Sequence, residues 1–367
     1  MNAPVLMQVV GARPQFIKLA PLSREIARRR LAGRPYRECV VHTGQHYDDA
    51  MSAVFFEQLS LPRPTHDLGV GSGPHGAQTA AMLAGLESVI EAERPAAVIV
   101  YGDTNSTLAA AFAAAKRHVP VVHVEAGLRS GNRRMPEEIN RIAVDHIADL
   151  LLAPTASALD NLVREGRAAA ARWTGDVMYD AVSFTRRLLS GVARPAGVPE
   201  GDYLLATVHR AENTDDPHRL AAIVEALATL AETALPVVWP LHPRTRAALE
   251  RLGRPLDEPG LMLFEPVGYL ELLALLDGAR LVLTDSGGVQ KEAFFFDTPC
   301  LTLRDETEWP ETVAAGANRL VGADAARIVE LARHTLGLPP VRYDHGAFGD
   351  GEAAARCLDE IEALLNL

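Results

Sequence analysis

The chain has 367 residues, of which 48% are hydrophobic and 23% are charged, and its formal net charge is −11. This length exceeds one ordinary hydrophobic core and predicts two domains of roughly 150 to 200 residues each. The acidic balance excludes a broad basic surface for nucleic acid. No segment reaches the roughly 18 to 20 apolar residues that span a bilayer, and no signal-peptide pattern opens the chain. We expect a cytoplasmic enzyme that binds neither nucleic acid nor membrane.

The cysteines do not indicate a fold stabilised by disulfides or a structural metal. The three cysteines, Cys39, Cys300 and Cys357, are isolated from one another in the sequence. Their odd number and the lack of CxxC spacing argue against a secreted disulfide framework or a zinc ribbon. We therefore expect neither a disulfide nor a structural metal.

Short apolar runs alternate with longer amphipathic runs along the whole chain. In the first half, strands are predicted at Val5–Val10, Glu38–Thr43, Ala97–Tyr101, Val119–Val124 and Leu150–Ala153. In the second half, they are predicted at Tyr203–Thr207, Val237–Leu241, Met262–Phe264, Leu281–Thr284 and Pro299–Leu303. Helices are predicted between them, for example at Phe16–Arg30, Gln78–Ala92, Leu108–Arg117, Pro217–Ala231 and Glu352–Leu365. Continuous apolar strands that alternate with helices indicate parallel sheets covered on both faces, hence an α/β fold of two doubly wound, Rossmann-like domains.

A change of pattern near the middle of the chain indicates the domain boundary. Gly175-Asp176 follows a short β-like run at Arg172–Thr174, and residues 194–199 form a stretch rich in proline and glycine. We expect a first domain at residues 1–174 and a second at 175–350. The pattern does not decide on which domain the final helix, within 351–367, packs.

Polar residues directly after strands are the candidates for chemistry, because open parallel sheets bind ligands beyond the carboxyl ends of their strands. The first strand ends in Gly11-Ala12-Arg13-Pro14, and Lys18 follows in the same helix start. Free backbone N–H groups at a helix N-terminus attract anions, so Arg13 and Lys18 predict a site for phosphate or a similar anion. The alternative is an ordinary turn with surface cations.

The first half offers three candidate carboxylates: Asp103 and Glu125 each follow a strand, and Glu137 lies at an acid-rich helix start. Capping would explain Asp103 and the helix dipole would explain Glu137, but neither explains Glu125. Crowded carboxylates raise the pKa of one another and suit general acid–base catalysis. The alternative is a divalent cation held by Asp103, Glu125 and His123. Because neither HExxH nor clustered histidine spacing is present, we expect no metal.

The second half offers candidates for binding a charged diphosphate. His209 and Arg210 follow one strand and His242 follows the next, which suits acid–base chemistry and the neutralisation of phosphate. The run Ser286-Gly287-Gly288 then leads from a strand into a helix, where bare backbone amides can meet a phosphate.

Two more side chains extend this predicted nucleotide site. Glu292 lies further along the same helix, placed to accept hydrogen bonds from ribose hydroxyls, and Arg304 follows the next strand as a further cation. The run at residues 71–76 formally matches GxGxxG, but no apolar strand precedes it and Pro74 occupies the turn. We interpret this run as a loop and do not expect a dinucleotide-dependent dehydrogenase.

Taken in order, these runs resemble the non-hydrolysing UDP-N-acetylglucosamine 2-epimerase family over nearly the whole chain, from Gly11-Ala12-Arg13-Pro14 to Thr307-Glu308-Trp309-Pro310-Glu311. The resemblance implies the glycosyltransferase-B type of architecture, with two domains facing across a cleft that holds the sugar nucleotide. It also implies that the final helix returns to the first domain, and that the protein is a homodimer without a cofactor.

The family's functional residues carry over one by one onto this sequence. Its catalytic groups match Asp103, Glu125, Glu137 and His209; its N-terminal basic pair matches Arg13 and Lys18; its diphosphate and ribose contacts match Ser286, Gly287 and Glu292. The implied reaction is anti-elimination of UDP to a 2-acetamidoglucal and re-addition with C2 inverted, which interconverts UDP-N-acetylglucosamine and UDP-N-acetylmannosamine. We favour Asp103 as the base at C2, with Glu125 and Glu137 as its partners, although sequence alone does not order the three carboxylates.

One branch of the family offers a second substrate. Three runs look closest to the branch that acts on UDP-2,3-diacetamido-2,3-dideoxy-D-glucuronate for O-antigen synthesis: Gly11–Lys18, Phe294–Cys300 and Arg304–Pro310. The extra carboxylate of that substrate needs another cation, for which Arg133, Arg134 and Arg244 are candidates. A hydrolysing epimerase, a glycosyltransferase of the same architecture and a non-catalytic sugar-nucleotide sensor are the remaining alternatives.

Overall fold

The structure, a computed structural model, describes residues 3–45, 58–59, 61–253 and 259–367. It divides into two compact units, which are Met1–Phe184 together with Gly346–Leu367, and Thr185–His345. We call them the first and the second domain. Among the described residues, no helix combines the length and the apolar composition needed to cross a membrane.

The first domain contains a sheet of parallel strands. Its strands are β1 Val5–Val10, β2 Arg37–His42, β3 His66–Asp67, β4 Ala97–Tyr101, β5 Val121–Val124, β6 Leu150–Ala153 and β7 Ala171–Trp173. Its helices are α1 Arg13–Leu31, α2 His75–Glu93, α3 Asn105–Lys116, α4 Pro136–Ile147, α5 Ala156–Arg164 and α6 Val177–Thr185, together with a helix near the C-terminus that is described below. The strands lie in the order β3-β2-β1-β4-β5-β6-β7, and every pair is parallel. Chain order therefore reverses between β1 and β4, which is where a doubly wound sheet binds ligands.

The second domain repeats this topology. Its strands are β8 Leu204–Thr207, β9 Val237–Pro240, β10 Leu261–Phe264, β11 Leu281–Thr284, β12 Cys300–Thr302 and β13 Asn318–Leu320. Its helices are α7 Ala211–Thr214, α8 Pro217–Thr233, α9 Pro243–Leu252, α10 Tyr269–Asp277, α11 Gly287–Phe295, α12 Pro310–Ala314 and α13 Ala325–Leu336. The parallel order is β10-β9-β8-β11-β12-β13, so the reversal falls between β8 and β11.

The strands that the apolar runs predict are confirmed, with shifts of one or two residues at some ends. β4 is buried at all five positions, as expected for a strand covered by helices on both faces. The sequence did not predict β3 or β13, because each is very short and contains polar residues such as His66 and Asn318. The three cysteines are free, buried thiols.

The last helix, α14 at Ala353–Leu365, belongs to the first domain. The hydroxyl of Tyr36 donates to the carboxylate of Glu362 over 3.0 Å. At the other end of α14, the carboxylate of Asp180 in α6 accepts hydrogen bonds from the backbone amides of Ala353 and Ala354, at 3.1 and 2.7 Å. Because α6 is tied to α14 in this way, the boundary expected after residue 174 falls inside the first domain, and the chain leaves that domain after Phe184.

Candidate active site

The candidate residues of the first domain lie where chain order reverses in its sheet. Arg13 opens the helix after β1, Asp103 follows β4 and Glu125 follows β5. These three strands are successive, parallel neighbours, so their carboxyl ends meet at one edge. The tertiary fold therefore brings the predicted residues of three separate runs to one region of the first domain.

The turn after β1 is fixed by close packing. A Cβ atom on Gly11 would lie 2.0 Å from Thr43 Oγ1 and 2.3 Å from Ser106 Oγ, so only glycine fits. The side-chain oxygen of Gln15 accepts hydrogen bonds from the amides of Gly11 and Ala12, at 2.8 and 3.1 Å. The amide nitrogen of Gln15 donates to the carbonyl of Tyr101, the last residue of β4, over 2.9 Å. Gln15, which sequence reasoning did not single out, thus joins the Arg13 turn to the strand that precedes Asp103.

Lys18 and Glu125 form a buried ion pair. Both side chains are less than one-tenth exposed, at 9% and 5%. Burial acts to lower the pKa of Lys18, but the carboxylates of Glu125 and Asp103 outweigh it and hold the pKa above its usual value. The Lys18 ammonium group also lies beside the backbone of Gly102, since a Cβ atom built there would be 3.0 Å from Nζ. This charged amine therefore stands between the segments that carry the two carboxylates.

The backbone of Glu125 adopts a left-handed conformation, with φ = 70°. This region is unfavourable for a residue with a Cβ atom, by roughly 1 to 2 kcal/mol. Strained backbone of this kind is concentrated at functional sites, where the surrounding structure maintains it. Burial, a salt bridge and a strained backbone together indicate that Glu125 serves function more than stability.

Asp103 is an ion-pair partner and not a helix cap. The hydroxyl of Thr104 caps α3 by accepting from the amide of Thr107 at 3.4 Å, which removes the capping explanation for Asp103. The carboxylate of Asp103 pairs with the guanidinium of Arg141, and 28% of its side-chain surface remains exposed. Asn140 donates to the backbone carbonyl of Asp103 over 2.9 Å. Helix α4 therefore holds Asp103 with two adjacent residues.

The structure adds Glu138 to the acids near this edge. Glu137 is half-buried in the first turn of α4, whereas its neighbour Glu138 is buried. Glu138 accepts from the amides of Ser130 and Gly131, both at 3.0 Å, and from Arg141 at 2.6 Å. Burial acts to raise its pKa, but these hydrogen bonds and the charge of Arg141 outweigh it and lower the pKa. The spacing of Glu138 and Arg141, three residues apart on one helix, is a signal that sequence reasoning missed.

In the second domain, His209 and His242 lie together. Their ring centroids are 5.4 Å apart, so the residues that follow β8 and β9 are in contact. The amides of His209 and Arg210 donate to the carboxylate of Asp285 at 2.9 to 3.0 Å. Partial burial lowers the pKa of His209, and the charges of Arg210 and Arg244 act in the same direction, against the carboxylate of Asp285.

Asp285 is a residue of this region that sequence reasoning did not single out. Its side chain is fully buried, and Asn213 also donates to it over 3.1 Å. Its position directly after β11 was the available signal, because the other strand ends carry candidate residues in the same way. Asp285 fixes the backbone that presents His209 and Arg210.

The Ser286-Gly287-Gly288 run forms the start of α11, as the sequence predicted. Ser286 is the cap, and its hydroxyl accepts from the amide of Val289 at 3.4 Å. A Cβ atom on Gly287 or Gly288 would meet no protein atom closer than 3.5 Å, and neither glycine has a positive φ. The fold itself therefore does not require glycine at these positions. Space above bare amides suits the approach of a ligand phosphate.

Glu292 and Arg304 are both buried near this helix. Burial raises the pKa of Glu292 to about 7, against the opposing effects of a hydrogen bond with Tyr269 and the charge of Lys291. The side chain of Arg304 is only 1% exposed and forms ion pairs with Glu308 and Glu212, at 2.9 and 3.2 Å. Arg304 thus organises neighbouring carboxylates, while its contact with a substrate stays a prediction.

Comparison with known proteins identifies the family. The sequence model described as UDP-N-acetylglucosamine 2-epimerase matches residues 29–362. A Pseudomonas aeruginosa protein named UDP-2,3-diacetamido-2,3-dideoxy-D-glucuronate 2-epimerase is 51% identical over 98% of this chain and 99% of its own length. The UDP-N-acetylglucosamine 2-epimerase of Methanocaldococcus jannaschii is 41% identical over 95% of this chain and 96% of its own.

Solved structures agree with the sequence comparisons. The crystal structure of the M. jannaschii enzyme in complex with UDP-GlcNAc and UDP matches 98% of this chain and 99% of its own, with a TM-score of 0.88 and 40% identity. The Neisseria meningitidis UDP-GlcNAc 2-epimerase bound to UDP-GlcNAc matches 99% of this chain and all of its own, with a TM-score of 0.88 and 29% identity.

A more remote neighbour shares the fold alone. The spinosyn rhamnosyltransferase SpnG matches 98% of this chain and 96% of its own, with a TM-score of 0.51 and 17% identity. The glycosyltransferase-B type of fold, with two parallel-sheet α/β domains, is therefore confirmed, and so is the predicted family. The chain belongs to the UDP-N-acetylglucosamine 2-epimerase family of sugar-nucleotide epimerases.

Proposed function

We propose that this enzyme inverts C2 of a UDP-linked 2-acetamido sugar by eliminating UDP and adding it back to the resulting glycal, without hydrolysis. The observation that carries the proposal is the buried Lys18–Glu125 pair beside Asp103 at the strand ends of the first domain. It supplies carboxylates for proton transfer and a cation in a site of low exposure, where electrostatic interactions are strong.

Elimination needs a base for the proton at C2, and Asp103 is the residue to which we assign this role. Arg141 pairs with its carboxylate, and a neighbouring cation favours the ionised form that a base requires. Part of the Asp103 side chain stays exposed, as a group that contacts substrate must be. Glu125 and Glu137 remain the candidates for the acid that acts on the opposite face in the return step.

Departure of UDP needs groups that neutralise the diphosphate. We assign its binding to the amides at the start of α11, with Ser286, Gly287 and Gly288, and to His209, Arg210 and His242. For Arg13 and Lys18 of the first domain, binding of phosphate or a similar anion stays a prediction from the sequence. Glu292 would accept hydrogen bonds from the ribose hydroxyls.

Two substrates are candidates, and the comparisons favour one of them. We propose UDP-2,3-diacetamido-2,3-dideoxy-D-glucuronate as the preferred substrate, ahead of UDP-N-acetylglucosamine, because identity to the P. aeruginosa relative is 51% against 41% for the M. jannaschii one. Arg133 and Arg134 are exposed in the segment just before α4, where they could meet the additional carboxylate. Arg244, the third candidate cation, already pairs with Asp215 over 2.6 Å.

The test is to supply each sugar nucleotide alone in D₂O and to follow it by NMR. We expect C2 inversion with one deuteron incorporated at C2, UDP still attached, and a kcat/KM at least about tenfold higher for the diacetamido uronate. Release of free sugar and UDP would instead identify a hydrolysing epimerase. Neither inversion nor deuterium uptake would identify a transferase or a sensor, and equal or reversed kcat/KM values would refute the substrate preference.

Binding of UDP should release a proton from Glu292. Hydroxyl donors stabilise the ionised carboxylate, so binding lowers a pKa that starts at about 7, and affinity weakens as pH falls below that value. Calorimetric titration with UDP at pH 7 in two buffers of different ionisation enthalpy should show release of up to about half a proton, since a group at its pKa is half protonated. We expect no release at pH 9, and at pH 7 a release that is smaller by that amount in Glu292→Gln. Proton release that persists unchanged in Glu292→Gln would contradict this assignment.

Two expectations from the sequence stay predictions. A homodimer would appear in analytical ultracentrifugation as roughly twice the chain mass of 39.5 kDa. A cytoplasmic location is consistent with a family whose members act on sugar nucleotides, and fractionation of cells would test it.

A further inference from the structure

His123, which sequence reasoning considered only as a possible metal ligand, lies inside a buried network. It belongs to β5 and is fully buried, as is its partner Asp145. The Nδ1 atom lies 2.7 Å from a carboxylate oxygen of Asp145, and the Nε2 atom lies 2.7 Å from the carbonyl oxygen of Gly102. Both ring nitrogens are therefore engaged, and neither is available to a metal beside Asp103 and Glu125.

The partners of the ring hold it in place. A backbone carbonyl only accepts hydrogen bonds, and so does an ionised carboxylate. Asp145 accepts two further hydrogen bonds, from the amide of Gly127 at 3.1 Å and from Arg129 at 2.8 Å. Burial acts to raise the pKa of Asp145, but His123 and Arg129 outweigh it and lower the pKa. The His123 ring is thus held at both nitrogens, and its partner Asp145 is held in turn by Gly127 and Arg129.

Arg129 supplies a positive charge to the network. It pairs with Asp145 and also with Glu165, at 2.8 and 2.7 Å. An isolated charge in such a place would be costly, whereas a paired and fully hydrogen-bonded one is tolerated.

Three segments that carry the predicted catalytic carboxylates meet at this network. Gly102, whose carbonyl accepts from His123, directly precedes Asp103 and has φ = 60°. Gly127, whose amide donates to Asp145, comes two residues after the strained Glu125. Asp145 itself lies on α4, the helix that carries Glu137 in its first turn and Arg141 further along.

We propose that His123, held between the carboxylate of Asp145 and the carbonyl of Gly102, is a positioning residue that fixes Asp103 relative to Glu125. It acts through the Gly102 peptide and does not contact the substrate. This inference rests on the proposed function, which assigns catalytic roles to the carboxylates. Small displacements of a reacting group cost as much as about 100-fold in rate, so loss of this support should appear in kcat.

Hydrogen exchange tests the network without any substrate. In His123→Gln, we expect faster exchange of the backbone amides of Gly102 and Gly127, measured by NMR, with exchange in the second domain as in the wild type. Unchanged exchange at both amides would overturn the inference even if the enzyme epimerises its substrate as proposed. If His123→Gln does not fold, Asp145→Asn gives the same test.

Kinetics test the positioning role. We expect His123→Gln and Asp145→Asn each to lower kcat about 10- to 100-fold while KM and calorimetric UDP affinity change less than threefold. In the Asp103→Asn background, His123→Gln should lower kcat no further, because residues that act through one another are not additive. A matched control is His66→Gln, which removes a half-buried histidine paired with Glu93 at 2.7 Å and should leave kcat within twofold.

The outcomes separate two failures. If the wild-type enzyme shows no C2 inversion, the proposed function fails, and the hydrogen-exchange result still decides whether His123 holds the Gly102 and Gly127 segments in place. If inversion occurs but His123→Gln lowers kcat by the same factor with and without Asp103, the residue has only a general structural role and the positioning proposal is wrong.

Discussion

Asp103→Asn should lower the turnover of C2 inversion by at least about 100-fold, the lower end of the effect of removing a general base. The amide has the shape of the carboxylate and can still contact Arg141, but it cannot accept the proton from C2. The loss should appear equally in deuterium incorporation at C2, because both readouts require the same proton transfer. Measuring both by NMR in D₂O, with the protein folded by circular dichroism, checks the prediction.

The control for this variant is another aspartate paired with an arginine in the first domain. Asp359→Asn alters an exposed residue of α14 that pairs with Arg29 at 2.7 Å, and it should leave turnover unchanged. If Asp103→Asn kept more than about a tenth of the wild-type turnover, the base would have to be Glu125 or Glu137 instead.

Lys18→Met should destabilise the first domain by about 3 to 5 kcal/mol, the usual cost of leaving a buried charge without its partner. Glu125 would keep its carboxylate in a buried, strained position while losing the ammonium group that pairs with it. The double variant Lys18→Met/Glu125→Gln should recover most of this loss, because it removes the second charge as well. Urea denaturation would give the free energy of unfolding, and hydrogen exchange of β1 and β5 would show that the first domain is affected.

An exposed pair supplies the comparison. Arg117→Met removes a surface contact with Glu91 at 3.2 Å and should change the free energy of unfolding by less than about 0.5 kcal/mol. Additive effects of Lys18→Met and Glu125→Gln would show that the buried pair is not coupled, contrary to the prediction.

The sequence by itself determined the fold class and the places of the candidate residues. Continuous apolar strands such as β4 are recognisable because burial on both faces leaves no polar alternation, and strand ends mark where ligands bind. The start of α11 was predictable for the same local reason, since a serine cap and two glycines after a strand have few other uses. Local signals failed for the short edge strand at His66–Asp67 and for the packing of α6 on α14.

Only the tertiary structure decided which side chains meet. Neither Arg141 beside Asp103 nor Lys18 beside Glu125 follows from spacing, because each pair joins segments distant in the sequence. His123 shows this most clearly. In the sequence it is a histidine two residues before Glu125, and in the fold its two ring nitrogens contact Asp145 and the carbonyl of Gly102. Hydrogen bonding and charge pairing in a buried site depend on distances of a few ångströms in three dimensions, and a one-dimensional pattern does not contain them.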